Sequence, residues 1–183
     1  MRRNFLYIHG LQRDDIHVSR KYLHLVKHFK DRFNYIYSAW INQTDFSKLL
    51  NTAEANLEKD EIPIIYGDST GANFAYQLRE RLKAKNKKSI LILSSPLLNS
   101  KQRIQAELRF PEAVKKQMLE ITSPENALVI ASKKDQILQQ NWLFEKSFPN
   151  LEVFEVDDNH QLSNYEKNSL EIIENYIDKN IIY

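Results

Sequence analysis

A serine lies between two glycines in the segment Gly67-Asp68-Ser69-Thr70-Gly71, and this spacing is the strongest chemical signal in the sequence. A serine can act as a nucleophile at a sharp turn from a strand into a helix, where the residues two before and two after it must be small. The chain has three glycines in 183 residues, far below the usual share of about 7%. We predict that Ser69 is a catalytic nucleophile. The alternative is a chance match on an ordinary strand-to-helix turn.

A serine nucleophile needs a base that accepts its proton near neutral pH, and histidine is the side chain suited to this. His160 is the one histidine C-terminal to Ser69, and it follows the last apolar run of the sequence. We predict that His160 is the base. A solvated loop histidine is the alternative.

The histidine in turn needs a carboxylate that orients its ring and stabilises its charged form. Asp135 follows the fifth apolar run and gives the chain order serine, acid, histidine. Asp157 and Asp158 compete for this role because they lie close to His160, although they share its loop. Asp135 could also be a plain N-cap for a helix that starts at Gln136.

The anion that forms during acyl transfer needs backbone N–H donors. Thr70, the residue after the nucleophile, should supply one at the start of a helix. Leu11 should supply the second, because Gly10 lets the loop after the first strand approach closely, and Gln12 is the next choice. We expect His9, Gly10 and Gln12 to form part of the substrate-binding site, with His9 mainly bracing this loop.

Short apolar runs alternate with longer amphipathic stretches along the whole chain. The predicted strands are residues 4–9, 34–38, 62–66, 89–93, 126–131 and 151–156. The predicted helices are residues 17–30, 44–57, 70–85, 111–120, 136–148 and 163–180, the first with Tyr22, Val26 and Phe29 on its apolar face. Crossovers of helix length require parallel pairing, and continuous apolar runs are typical of strands covered on both faces.

The fold class is therefore α/β: one domain over residues 1–183, with a six-stranded, mainly parallel sheet flanked by helices. Residues 97–123 form a polar, irregular insert that would act as a short lid. In such sheets the functional site lies at the carboxyl ends of the strands. His9, Ser69, Asp135 and His160 each follow a predicted strand, so the order of elements places them at one edge.

Four short motifs carry a family resemblance that spans nearly the whole chain. They are Tyr7-Ile8-His9-Gly10, the Ser69 motif, Ala131-Ser132-Lys133-Lys134-Asp135-Gln136, and residues 158–166, which read Asp-Asn-His-Gln-Leu-Ser-Asn-Tyr-Glu. Their order resembles that of small single-domain bacterial esterases of the α/β-hydrolase superfamily, with the YqiA/YcfP-like group the most similar.

The resemblance implies a carboxylic-ester hydrolase of minimal α/β-hydrolase fold, with Ser69, Asp135 and His160 as its catalytic triad. It also implies that the first antiparallel strands of larger hydrolases are missing and that the first strand is central. The chain departs from the group at Asp68, where a small polar residue is frequent, and at Ala72, where a second glycine is frequent.

Composition narrows the function further. The formal charge of +2 is nearly balanced and forms no basic stripe, which argues against a nucleic-acid partner. The chain has no cysteine, so disulfides and a thiol nucleophile are excluded. His17, His24, His28 and Asp31 suggest a surface metal site, but they lie on a face expected to be solvated, so we expect neither a metal nor a cofactor. No stretch is long enough to span a membrane, and a cytoplasmic location is the default.

The sequence thus predicts a serine hydrolase that cleaves a small carboxylic ester or thioester through an acyl-enzyme. A catalytically silent protein of the same fold, used as a binding or regulatory module, is the alternative from another class. Acyl transfer or peptide cleavage on the same residues also stays open, because pocket shape selects the acceptor.

Overall fold

The computed structural model describes residues 2–11, 17–104 and 110–181, and in this part of the chain six strands form one parallel sheet. The strands are β1 (Arg3–Ile8), β2 (Phe33–Ser38), β3 (Ile64–Asp68), β4 (Ile90–Ser94), β5 (Ala127–Ala131) and β6 (Leu151–Glu155). Their order across the sheet is β2-β1-β3-β4-β5-β6, and each pair of neighbours is parallel. The prediction of a six-stranded parallel sheet is confirmed, but the first strand is not central: β1 is an interior strand beside the edge strand β2, and β3 and β4 are at the centre.

Two hydrophobic cores cover the two faces of this sheet, as the continuous apolar strands require. The helices are α1 (Arg20–Phe29), α2 (Phe46–Leu57), α3 (Thr70–Ala84), α4 (Glu112–Lys115), α5 (Asn141–Glu145), α6 (Tyr165–Asn168) and α7 (Leu170–Ile181). Side chains alternate between the faces, so Ile64 and Tyr66 join the core with α1 and α7, whereas Ile65 joins the core with α2 and α3.

Helix α1 differs from its prediction in its start and in its buried face. It begins at Arg20 rather than at residue 17, because the Tyr37 hydroxyl accepts from Ser19 N–H at 3.1 Å and donates to the His17 carbonyl at 3.0 Å. Its buried residues are Lys21, Leu25 and Phe29, whereas Tyr22 and Val26 are only half-buried. The buried lysine is the unexpected member of this face.

The helix expected over residues 136–148 is reduced to α5, which is five residues long. The segment before it pairs with the insert instead. Gln139 N–H donates to the Gln102 carbonyl at 2.7 Å, Ile104 N–H donates to the Ile137 carbonyl at 2.8 Å, and an antiparallel bridge joins residues 103 and 138. A backbone bonded to another segment in this way cannot also be helical, so the prediction was wrong here.

Among its described residues, the insert between β4 and β5 holds one short α-helix, α4, in place of the helix expected over residues 111–120, and a 3-10 turn at Ser100–Gln102. The buried side chain of Asn73 fixes the chain after α4. Its amide donates to the carbonyls of Leu98 and Leu119 at 3.0 and 2.9 Å, and its oxygen accepts from Leu119 N–H at 3.0 Å. Residues 105–109 of the insert lie outside the described residues.

The helix predicted over residues 163–180 is divided into the two helices α6 and α7.

The order of the strands determines where a site can form: the chain leaves β1 toward β2 and then returns to β3 on the other side of β1. Such a reversal opens a crevice at the carboxyl ends of the two strands. Gly10 follows β1 and Ser69 follows β3, so both border this crevice. No helix of the described residues has the length and apolar character of a membrane span.

Candidate active site

Ser69 occupies a strained turn between β3 and α3, with no loop on either side. Its backbone has φ 48° and ψ −115°, a region that residues other than glycine rarely adopt. Its N–H donates to the Ser94 carbonyl at 2.9 Å, and its carbonyl accepts from Leu97 N–H at 3.0 Å. Strain of this kind persists where the surroundings hold it, and it is concentrated at functional sites.

The three glycines serve close approach rather than positive φ, since none of them has a positive φ. A Cβ on Gly67 would lie 2.5 Å from the Ala72 Cα, so the strand and helix could not meet around the turn. A Cβ on Gly71 would collide with the carbonyl oxygens of Ile8 and His9. The glycines therefore allow β1, β3 and α3 to converge on Ser69.

A hydrogen-bonded chain joins the three predicted triad residues. The Ser69 Oγ lies 3.0 Å from the His160 Nε2, and the His160 Nδ1 lies 2.7 Å from the Asp135 Oδ2. A carboxylate only accepts, so the Nδ1 carries the proton and the Nε2 is free to accept from the serine hydroxyl. The side chains of His160 and Asp135 are 14% and 1% exposed, so the acid is enclosed while the histidine stays accessible.

The carboxylate of Asp135 is held on both of its oxygens. Its Oδ1 accepts from the N–H groups of Ile137 and Leu138 at 2.8 and 2.9 Å, which leaves the Oδ2 for the histidine. The two competing carboxylates bind elsewhere: Asp157 pairs with Lys134 at 2.6 Å, and Asp158 accepts from three backbone N–H groups of its own loop. The structure thus brings Asp135, and neither competitor, to His160.

One expected oxyanion donor follows Ser69 directly in the chain, and the loop that carries the other approaches the same turn at Gly10. Thr70 is the first residue of α3, where backbone N–H groups have no acceptor within the helix. Gly10 places the loop after β1 against the turn, because a Cβ on it would lie 3.0 Å from the Ser69 Cβ. Leu11, next in the chain, is half-buried and packs on the core beside α3. Gln12, the further candidate, lies outside the described residues.

His9 is buried and both of its ring nitrogens have hydrogen-bond partners, which favours bracing of the loop over direct contact with a substrate. Trp40 N–H donates to the His9 Nε2 at 3.0 Å, so the Nδ1 carries the proton and donates to the Gly10 carbonyl at 2.6 Å. The ring is 1% exposed, and its burial lowers the pKa of His9 although hydrogen bonds to Gly10 and Trp40 act in the opposite sense. A neutral His9 braces the loop that leads to Leu11.

A polar cluster behind the nucleophile was not foreseen. The Lys21 Nζ lies 2.6 Å from the Asp68 Oδ1, and the Ser94 Oγ donates to the same oxygen at 2.7 Å. Burial acts to raise the pKa of Asp68, but the Lys21 ammonium, the hydrogen bonds of Lys21 and Ser94, and the charge of His160 together lower it. Asp68 is therefore an anion beside the site. The sequence shows an acidic residue at position 68, but no sequence pattern identifies Lys21 on α1 as its partner.

The histidines of α1 have carboxylate partners on α6 and α7. His24 lies 2.6 Å from Glu166, and His28 lies 2.9 Å from Glu174. Among the described residues no group of three or more histidine, aspartate or glutamate side chains is arranged to hold a metal ion. These pairs therefore join α1 to the C-terminal helices.

No protein-family model matches the sequence, and no curated protein matches it. Solved structures do resemble the fold. Est1E from Butyrivibrio proteoclasticus has a TM-score of 0.70 at 11% identity, over 100% of this chain and 89% of that one. A soluble variant of monoglyceride lipase from Saccharomyces cerevisiae has a TM-score of 0.67 at 12% identity, over 97% and 86%. Human thioesterase 2 has a TM-score of 0.59 at 14% identity, over 96% and 94%. The chain has the α/β-hydrolase fold.

Proposed function

We propose that this chain of α/β-hydrolase fold is a serine hydrolase that cleaves small carboxylic esters or thioesters through an acyl-enzyme. The observation that carries the proposal is the hydrogen-bonded chain from the Ser69 Oγ through His160 to Asp135, at 3.0 and 2.7 Å. It stands at the crevice between β1 and β3, where ligands bind in sheets of this kind.

The reaction follows from these contacts. The Ser69 Oγ attacks the acyl carbon while its proton moves to the His160 Nε2, and Asp135 stabilises the imidazolium through the Nδ1. The negative charge on the former carbonyl oxygen is bound by the N–H groups of Thr70 and Leu11. His160 then gives its proton to the leaving oxygen or sulfur. A water molecule then gives a proton to His160 and adds to the acyl carbon. The bond from this carbon to the Ser69 Oγ breaks, and His160 returns the proton to the serine as the acid leaves.

The similar structures favour this reaction class, since they include a lipolytic enzyme of metagenomic origin, a monoglyceride lipase and a thioesterase. The motifs around His9, Ser69, Asp135 and His160 further suggest the YqiA/YcfP-like group. We extend the proposal to one domain with residues 97–123 as its lid. It also includes a cytoplasmic location, which the absence of cysteine favours.

The test combines a covalent probe with ester hydrolysis. We expect the parent protein to be labelled by a fluorescent fluorophosphonate and to hydrolyse p-nitrophenyl acetate and butyrate and an acyl thioester. Ser69→Ala should abolish labelling. His160→Ala should lower the rate of labelling at least a thousandfold, on the order expected when a triad member is lost.

Ser163→Ala is the matched control, because this serine lies on the loop of His160 outside the hydrogen-bonded chain, and it should label like the parent. A folded parent protein that is not labelled, or equal labelling of Ser69→Ala, would exclude the proposal and favour a silent binding module.

A further inference from the structure

Among the described residues, Lys21 and Asp68 form a buried ion pair next to the proposed site that the mechanism leaves unused. The two side chains are 6% and 15% exposed. Lysine is almost never buried to this degree without a partner, and a buried pair of this kind is weak evidence for stability, because desolvation offsets its attraction. A role beyond stability therefore needs to be considered.

The pair is connected directly to the nucleophile turn. Asp68 is the last residue of β3 and precedes Ser69 in the chain. Ser94 joins both residues, because its hydroxyl donates to the Asp68 carboxylate at 2.7 Å while its carbonyl accepts from Ser69 N–H at 2.9 Å. Asp68 also borders the oxyanion loop, since a Cβ on Gly10 would lie 3.2 Å from the Asp68 carbonyl oxygen and 3.7 Å from its Oδ2. Lys21 thus anchors α1 to the point where β3, β4 and the Gly10 loop meet.

We propose that Lys21 and Asp68 are positioning residues of the hydrolase: the ion pair holds the strained Ser69 turn and balances the charge beside His160. This inference rests on the proposed function. Among the described residues, the groups that interact with the Asp68 carboxylate come from every element around it. They are Lys21 on α1, Tyr7 on β1 with its hydroxyl at a long 3.4 Å, Ser94 on β4, His160 on the loop after β6, and, through charge alone, His9, Tyr66 and Tyr165.

The charges of the pair act on His160 in opposite directions. Because the charge of His160 stabilises the Asp68 anion, the anion must equally stabilise the imidazolium, and the Lys21 cation must oppose it. Removing one charge therefore leaves the other uncompensated. The acid limb of the kcat/KM profile should shift to lower pH in Asp68→Asn and to higher pH in Lys21→Met.

The double variant Lys21→Met/Asp68→Asn separates positioning from charge. With both charges removed, the midpoint of the acid limb should return to the parent value. The ion pair that holds the Ser69 turn is still lost in the double variant, so its kcat should stay about tenfold below that of the parent. Its KM should change little, because neither side chain is part of the proposed substrate contacts. This variant also leaves no unpaired buried charge, so it should fold even if a single variant does not.

Lys179 and Glu152 provide the matched control, because they form an exposed ion pair of the same 2.6 Å length near the opposite edge of the sheet. The experiment measures kcat and KM for p-nitrophenyl butyrate from pH 5 to 9, the rate of fluorophosphonate labelling, and the melting temperature. Lys179→Met, Glu152→Gln and their double variant should keep the parent's kcat and acid limb.

The outcomes distinguish the two proposals. Opposite shifts in the single variants, with a low kcat in the double variant, support the positioning role. A lower melting temperature with an unchanged acid limb and kcat in the variants of Lys21 and Asp68 overturns it and leaves the hydrolase proposal intact. A parent protein that does not react with the probe at Ser69 overturns both.

Discussion

The indole of Trp40 lies on the imidazole of His9, with ring centroids 5.0 Å apart and planes inclined by 4°. Two hydrogen bonds join the same two residues. The backbone N–H of Trp40 donates to the His9 Nε2 at 3.0 Å, and the indole N–H of Trp40 donates to the His9 carbonyl at 2.8 Å. On the other side His9 donates to the Gly10 carbonyl. The loop after β1 is therefore held through one protonation state of one ring.

This relationship predicts a pH-dependent stability. Burial lowers the pKa of His9 in the folded protein, so below about pH 6.5, the ordinary pKa of histidine, the unfolded chain binds more protons than the folded one. The contribution of His9 is complete above that pH and is lost as the pH falls toward the lowered pKa. Urea unfolding at pH 8 and pH 5.5 should show a larger loss in the parent than in His9→Phe.

His9→Phe should also be less stable than the parent at pH 8, by about 1–3 kcal/mol, because Trp40 N–H loses its buried acceptor. The interpretation fails if His9→Phe loses as much stability on acidification as the parent does.

The second prediction concerns the choice of acid. Asp135→Asn should lower kcat/KM for p-nitrophenyl butyrate about a thousandfold or more, because an amide cannot stabilise the imidazolium and can favour the wrong tautomer of His160. Its effect on stability should be small, since the amide oxygen can still accept from the N–H groups of Ile137 and Leu138. Steady-state kinetics and thermal unfolding of the same samples check both parts.

Asp158→Asn is the matched variant for this test. Asp158 accepts from three backbone N–H groups that shape the loop of His160, so we expect a lower melting temperature with kcat within about tenfold of the parent. Greater catalytic loss in Asp158→Asn than in Asp135→Asn would move the acid role to Asp158.

The parts of the structure that the sequence predicts well are those specified locally. The apolar runs predict all six strands to within two residues at either end, because a strand covered on both faces needs an unbroken series of apolar side chains. The turn around Ser69 is equally local, since Gly67 and Gly71 make room for chain segments whose positions follow from the strand and helix next to them.

The parts that it missed depend on which distant segments meet. Trp40 reaches His9 because β1 and β2 pair with Tyr7 opposite Tyr37, and no pattern within either strand gives this register. Lys21 is a polar residue of an amphipathic helix, and its burial makes sense only beside Asp68. The segment after Asp135 has helical propensity, but its bonds to the insert determine its conformation.

The third prediction concerns the anchor of the insert. Asn73→Asp keeps the oxygen that accepts from Leu119 N–H but replaces two donors with a carboxylate that faces the carbonyls of Leu98 and Leu119. We expect a loss of about 3 kcal/mol or more in the free energy of unfolding, since an unpaired charge is then buried. Asn51→Asp, an exposed position on α2 whose oxygen accepts from Arg81, is the control and should cost less. Equal costs in the two variants would contradict the anchoring role.

The last prediction separates two glycines by their neighbours. A Cβ on Gly71 would collide with the carbonyl oxygens of Ile8 and His9, which lie at the end of the interior strand β1 and directly after it, where the backbone cannot withdraw. Gly71→Ala should therefore lose at least 3 kcal/mol of stability or fail to fold.

A Cβ on Gly10 would lie 3.0 Å from the Ser69 Cβ, a contact that a loop can relieve by a small shift. Gly10→Ala should keep most of its stability but lose kcat, because the same shift moves Leu11 N–H away from the oxyanion. Thermal unfolding and p-nitrophenyl butyrate kinetics compare the two, and a Gly10→Ala variant with full kcat would exclude Leu11 as an oxyanion donor.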